Sequence, residues 1–388
     1  MFSKRTDWKL TPNRFTEVQC ELKAAGREVL DLTVSNPTRA GLHYDAQSIL
    51  NSLSRPAAMD YDPQPKGLAS AREAVASYYN EQLSAGKVDP EKIILTTSTS
   101  EGYSYIFRLL CNPDDEVIVP KPSYPLFEFL ADLQDVTLTS YPLLYDHGWQ
   151  IDFPSLVRTV NPRTRAVVVV HPNNPTGSYV SAAERTQLNS FCRQHGLALI
   201  MDEVFLDYPH DGSPRPSFVR NQDVLTFTLS GVSKISGLPQ MKLAWVAVSG
   251  PAPAVSAALD RLEIIADTYL SMNAPIQLAT PALLEQRKNI QPAIIDQVRS
   301  NLAELDLQLA QQEVSQRLQV DGGWYAVLRV PVVRTDEELA IALLEQSSVV
   351  VHPGHFYDFP TDGYLVLSLL TPPGEFREGA RRIFDLLN

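Results

Sequence analysis

The chain has 388 residues, 44% apolar and 20% charged, as expected of a soluble globular protein with material for one large or two medium domains. Its 33 basic and 45 acidic residues leave a net charge of −12, which argues against a nucleic-acid or polyanionic-membrane surface. No stretch approaches the ~18 apolar residues of a membrane span, and the three cysteines, Cys20, Cys111 and Cys192, are odd in number, far apart and without metal-ligand spacing.

The opening segment "MFSKRTDWKLTPNRF" has no apolar run of the signal-peptide kind, so a soluble, reduced, cytoplasmic setting is expected. From about Leu68 to Ser271, short apolar runs alternate with amphipathic segments of helical length. "KIILTTS" reads as a strand and "SEGYSYIFRLLC" as a helix. "EVIVPKP" precedes "YPLFEFLADLQ", and "RAVVVVHP" precedes "SAAERTQLNSFCRQHG", which opens on a serine and closes on Gly196 in keeping with cap chemistry. "LALIMDEVF", "VLTFTLS" and "LAWVAVSG" complete the strands. The run Val167–Val170 lacks polar alternation, which predicts a strand buried on both faces of a mainly parallel sheet. The βαβαβ order predicts a doubly wound α/β domain over residues 45–275.

Beyond Pro275 the texture changes. A long amphipathic stretch, "QRKNIQPAIIDQVRSNLAELDLQLAQQ", leads into short strands at "WYAVLRVP", "SSVVVHP" and "YLVLSLL" and a closing helix "PGEFREGARRIFDLLN". This predicts a smaller α+β domain built from residues 276–388 together with 1–44.

Ligands of open α/β sheets bind at the carboxyl ends of the strands. Four polar groups fall at such ends here: Ser98, Thr99 and Ser100 at a helix start, Asn173 and Asn174 in "HPNNPTG", Asp202 and Glu203 in "IMDEVF", and Lys234 in "SGVSKISG". Each has a bland reading as a turn, a cap or a solvated lysine. Together they supply what pyridoxal phosphate requires: an amine for its aldehyde, an acid for its ring nitrogen and an anion cradle at a helix N-terminus.

With these motifs in order along nearly the whole chain, from "LTVSNPT" through "YDPQPKG", "TTSTSEG", "NNPTG", "DEVF" and "SKISGLPQMK" to "VHPGHF", the sequence resembles the class I/II aminotransferases of pyridoxal-phosphate fold type I. The resemblance implies that Lys234 forms the Schiff base and then shuttles the Cα proton. It implies that Asp202 partners the ring nitrogen, Asn174 the phenolic oxygen and often the substrate carboxylate, and that Tyr124 stacks on the ring. Thr99 and Ser100 match the phosphate cradle, with Ser98 and Ser233 beside it. Tyr61 matches a tyrosine that reaches the phosphate of a neighbouring subunit, which implies a homodimer. Ser35 and Asn36 fall in the substrate loop, and Trp324 falls near the pocket.

Three positions depart from the family pattern. Lys242 replaces an arginine on the phosphate, keeping charge and losing the bidentate fork. Phe205 replaces a tyrosine that donates to the phenolic oxygen; Tyr208 is an alternative hydroxyl. Val366, in "YLVLSLL", stands where an arginine binds the substrate carboxylate. Arg39, in "SNPTRAG", is the preferred substitute, followed by Arg14. The leading functional expectation is a ping-pong aminotransferase acting on an amino acid and a 2-oxo acid. A lyase or decarboxylase of the same fold is the alternative, and a silent cofactor-binding sensor is a third reading. "GGWYAV" and "VVHPGHFYDF" suggest a pocket for an uncharged side chain, with His352 and His355 as pocket or loop residues. No metal site is expected.

Overall fold

The computed structural model describes residues 1–82, 86–270 and 272–387, with the side chain of residue 82 also outside the description. Asn388, the last residue of the expected closing helix, therefore lies outside the described residues. In chain order the strands are β1 (Leu30–Asp31), β2 (Ile93–Thr96), β3 (Glu116–Lys121), β4 (Thr137–Tyr145), β5 (Trp149–Ile151), β6 (Thr164–Val170), β7 (Ala198–Asp202), β8 (Thr226–Gly231), β9 (Ala244–Ser249), β10 (Gln316–Arg317), β11 (Tyr325–Arg329), β12 (Val349–Val350), β13 (His352–Pro353) and β14 (Tyr364–Ser368).

Eight of them form one sheet in the order β2-β9-β8-β7-β6-β3-β4-β5. The run β8-β7-β6-β3-β4 is parallel, while β9 is antiparallel to both its neighbours and β5 closes the far edge as an antiparallel hairpin with β4. The valines of β6 show why the run lacks polar alternation. Val168 and Val170 pack with Ile94, Ile106, Phe227 and Leu262 on one face, and Val167 and Val169 pack with Ile118, Leu188 and Leu199 on the other. Side chains alternate across a strand, so a strand covered on both faces must be apolar throughout.

Helices carry the chain between these strands and are capped as the sequence predicts. Ser181 and Glu184 form a reciprocal capping box at the start of Ala182–His195, and Gly196 ends that helix in the left-handed conformation. The segment "YPLFEFLADLQ" is less helical than its pattern suggests. Only Phe127–Asp132 coils, because Pro125 and the buried Phe127 and Leu130 fix the chain against the sheet.

A second, four-stranded sheet has the order β10-β11-β14-β13, and β1 pairs in parallel with β12. Its core joins Trp324, Leu328, Leu365 and Leu367 to Ile290, Ile294 and Leu305 of the helix Arg287–Leu309 and to Phe376 and Ile383 of the helix Pro373–Leu387. The β1 pairing binds the start of the chain to its last third. Among the described residues, no helix is long and apolar enough to cross a membrane.

Candidate active site

The carboxyl ends of β2, β6, β7 and β8 open at one edge of the large sheet, around a cavity of about 190 Å³. Thr99, Ser100, Asn174, Asp202, Phe205, Ser233, Lys234, Tyr124 and Ser35 line it, so nine of the residues singled out in the sequence meet in one place.

At the β2 end, Ser98 is the N-cap of the helix Thr99–Leu110. Its hydroxyl accepts from the Glu101 N–H at 3.2 Å, while Glu101 accepts from the Thr97 N–H at 2.6 Å. This cap spends Ser98 on the helix and leaves Thr99 and Ser100 in the cavity lining at the positive end of the helix dipole, a ready seat for a phosphate.

At the β6 end, the two asparagines divide the labour. Asn173 holds the turn: its carbonyl oxygen accepts from the Thr176 N–H and hydroxyl, its amide donates to the Pro122 carbonyl, and its own backbone carbonyl accepts from the Gly177 N–H. Gly177 has φ +70°, and a Cβ there would meet the Gly322 carbonyl oxygen at 2.4 Å, so the turn admits only glycine. Asn174 is left free. It is buried, its Oδ1 has no hydrogen-bond partner among the described residues, and it lines the cavity.

At the β7 end, Asp202 faces the cavity and accepts from the Tyr103 hydroxyl at 3.0 Å and the Val204 N–H at 3.2 Å. Burial pushes its carboxyl up to about 6, against the pull of the Val204 N–H, Tyr103 and the Lys234 charge. Glu203 turns the other way, to the Ser217 hydroxyl and the Phe218 N–H, and is a buried structural group.

At the β8 end, Gly231 lets the chain pass close to its neighbour strand. A Cβ there would lie 2.8 Å from the Leu243 carbonyl oxygen. The short helix Val232–Ile235 follows and carries Lys234. The Lys234 carbonyl accepts from the Tyr208 hydroxyl at 2.6 Å, so Tyr208 fixes the backbone of the lysine and does not line the cavity. The Lys234 ammonium has no hydrogen-bond partner among the described residues and stands 5.3 Å from the Phe205 ring centre and 4.9 Å from that of Trp324. Burial lowers its pKa to about 8, with Asp202 opposing, which raises the neutral, nucleophilic share of the amine near neutral pH well above that of a free lysine.

The remaining sequence candidates lie outside the lining. Trp324 is fully buried behind Lys234, edge-on to Phe205 and Tyr208. The Asn36 side chain accepts from the Thr38 N–H and hydroxyl, capping the turn that follows Ser35. Arg39 is exposed on that turn, Lys242 is exposed at the end of the 3-10 turn Pro239–Met241, and Tyr61 is 79% exposed. Arg14 is engaged at the surface with Glu21. Val366 is fully buried in the small-sheet core, and no arginine lines the cavity. The serine two residues on keeps a role: Ser368 donates its hydroxyl to the Val34 carbonyl and its N–H to the Leu32 carbonyl, anchoring the loop that presents Ser35.

Sequence reasoning did not name Tyr103, Val204 or Tyr325, all lining residues, although "GGWYAV" holds Tyr325. The available signal for the other two was position: Tyr103 lies a turn into the helix whose N-terminus faces the cavity, and Val204 follows the Asp202–Glu203 pair at the end of β7.

This set fits pyridoxal phosphate. It offers an unpartnered amine, a carboxyl held at the cavity, a free buried amide and a helix N-terminus with two hydroxyls. A family model described as "Aminotransferase class I and II" matches residues 27–383. The chain belongs to this aminotransferase family. It is a pyridoxal-phosphate-dependent aminotransferase, similar over 377 residues to a Mycobacterium bovis protein named alanine aminotransferase (28% identity, 94% of this chain and 87% of the relative). A Haemophilus influenzae protein named glutamate-pyruvate aminotransferase AlaA is 25% identical, over 95% of this chain and 92% of its own length. The solved structure of an alanine aminotransferase from Pyrococcus furiosus has the same fold, with a TM-score of 0.90 at 20% identity, over 100% of this chain and 99% of the other.

Phe205 gives this aminotransferase an apolar group beside Lys234 where a hydroxyl would stabilise a deprotonated, anionic oxygen. Phe205→Tyr is expected to move the pH-dependent absorbance transition of the cofactor-loaded protein to lower pH, since a donor favours the deprotonated form. A pH titration of the visible spectrum that shows no movement, or a rise, contradicts this.

Proposed function

We propose that this aminotransferase takes the amino group from an amino acid with a small uncharged side chain, alanine being the model case, and gives it to a 2-oxo acid. The observation that carries this reading is the lining. It joins Lys234, Asp202 and Asn174 to apolar walls at Leu126, Phe127, Leu130 and Val170, with Lys234 as the sole basic side chain among the lining residues. The relatives named alanine aminotransferase support it.

The arrangement of the lining supports the following roles. Pyridoxal phosphate supplies an aldehyde for the amine and a ring that withdraws electrons from Cα. Thr99, Ser100 and Ser233 bind its phosphate, with the N–H groups of the helix start. Asp202, oriented by Tyr103 and the Val204 N–H, holds the proton on the ring nitrogen. Asn174 bonds the phenolic oxygen, and Tyr124 covers the ring. Lys234 would take the proton from Cα and return it to the carbon on the far side of the amino nitrogen, which its lowered pKa suits. Lys242 adds charge at the phosphate end. Asn36 shapes the substrate loop, and Trp324 backs Lys234.

Residues 45–275 form the larger domain in this reading, and 1–44 with 276–388 the smaller, which contributes Ser35 and Tyr325 to the pocket. The exposed Tyr61 is assigned to the site of a second copy in a homodimer, and the three free cysteines suit a cytoplasmic setting. Light scattering that returns a fully active monomer removes the dimer. For the substrate, initial rates across a panel of amino acids at fixed 2-oxo acid are the test. L-Alanine is expected to exceed L-aspartate at least about tenfold in kcat/KM, since a second carboxylate finds no basic side chain in the lining besides Lys234, which works at Cα, and is desolvated without a partner. A preference for L-aspartate overturns the assignment.

A further inference from the structure

The position of Val366 raises the question of what receives the α-carboxylate of the substrate. Four observations bear on it. Val366 is fully buried, and its direct cross-strand partners on the same sheet face are Val327 and His352. His352 is bonded through Nδ1 to the Tyr357 hydroxyl at 3.0 Å. The Tyr357 ring centre lies 6.4 Å from that of Tyr325, which is 7% exposed and lines the cavity. Ser35 is in the same lining as Tyr325.

Tyr325 shares its face with Val366, since it pairs directly with Ser368 two residues further along β14. A phenol therefore stands on the same sheet face as the arginine position, one step along the sheet. Burial raises the Tyr325 phenol, so it stays protonated and serves as a donor. Arg39 is exposed on its turn and outside the lining.

We infer that Tyr325, with Ser35, is the carboxylate-recognising element of this pocket: a pair of neutral hydroxyl donors that takes the place of the family's arginine. The inference rests on the aminotransferase reading for the identity of the substrate. It concerns only how the carboxylate is held. Tyr357 and His352 position Tyr325 from behind, and Ser368 positions Ser35 by anchoring its loop. Neutral donors bind a carboxylate less tightly than a bidentate guanidinium does. The pocket consequently tolerates a substrate whose carboxylate is single and shifts binding weight onto the apolar walls.

The test uses two ligands of nearly the same shape on the cofactor-loaded protein. 2-Methylalanine carries a carboxylate and has no Cα proton to lose; tert-butylamine has a methyl group in the carboxylate's place. Affinities are read from the change in cofactor absorbance on titration. The wild type is expected to bind 2-methylalanine the more tightly. Tyr325→Phe is expected to weaken 2-methylalanine by about tenfold, the weight of one hydrogen bond to a charged acceptor, and tert-butylamine by less than about twofold. Ser35→Ala, a milder change at an exposed position, should move the same ratio in the same direction.

Equal weakening of both ligands shows a merely structural role and overturns the inference. No change in either does so too, as does a wild type that fails to discriminate between them. Release of carbon dioxide from 2-methylalanine points to a decarboxylase and sinks the transamination reading, while the affinity ratio still reports on carboxylate recognition.

Discussion

Replacing Lys234 by alanine is expected to lower the rate of amino-group transfer by at least about 10⁴-fold, because one residue supplies both the amine that anchors the cofactor and the base that moves the Cα proton. The structure gives this side chain no competing task, since its ammonium is unpartnered among the described residues and faces Asp202, Phe205 and Trp324 at the cavity. Cofactor binding should weaken without vanishing, since the cradle at Thr99, Ser100 and Ser233 is untouched. Borohydride reduction followed by mass spectrometry separates the effects. The wild type is expected to carry the cofactor covalently at Lys234, and the variant to carry none. Activity within a factor of about ten of the wild type would falsify the assignment, given the size of the acid–base contribution.

Asp202→Asn is expected to act in opposite directions on activity and on stability. Activity should fall by about 10²–10³-fold, in line with the loss of one preorganised charge at a reacting centre. The cofactor-free protein, by contrast, should become more stable. Burial raises the Asp202 carboxyl from 3.8 to about 6, so the folded state favours the protonated form. The cost of ionising it is absent below pH 3.8, grows as pH rises to 6, and is fully present above that. Asparagine keeps one oxygen to accept from the Val204 N–H, presents its amide N–H to the Tyr103 oxygen, which then accepts, and removes the charge, a gain of up to about 3 kcal/mol at neutral pH. Urea unfolding of the cofactor-free wild type and variant at pH 7.5 and pH 4 measures it. The two proteins should differ at the higher pH and converge at the lower. A variant less stable at neutral pH contradicts the account.

These effects explain which parts of the site were legible in the sequence. A strand buried on both faces must be apolar, so a polar residue at its carboxyl end stands out. Asn174, Asp202 and Lys234 were visible for that reason, as were Thr99 and Ser100 after "KIILT". Gly177 and Gly231 were visible as turn residues, although the close contacts that require them belong to the folded state.

What stayed hidden is chemistry carried by residues that pattern as core. Tyr103 and Tyr325 occupy core positions of a helix and a strand, and only the meeting of distant segments bonds the Tyr103 hydroxyl to Asp202 and brings Tyr325 into the lining with Ser35. Tyr208 could be named as a spare hydroxyl for the cofactor. Its actual bond to the Lys234 carbonyl depends on the turn after β7 folding back over the lysine helix. The search for a replacement cation pointed to Arg39 because charge was expected to replace charge. In this chain Arg39 is exposed on its turn, and Tyr325 is among the lining residues.

The central claim, that nitrogen is transferred and held by this protein between two half-reactions, has a direct test. Cofactor-loaded protein is mixed with ¹⁵N-labelled L-alanine and no acceptor. The account predicts one pyruvate per Lys234, with the label retained on the protein until a 2-oxo acid is added, and then recovered in the new amino acid. Free ammonia or carbon dioxide in place of retained label would show that another bond at Cα is broken, and would contradict it.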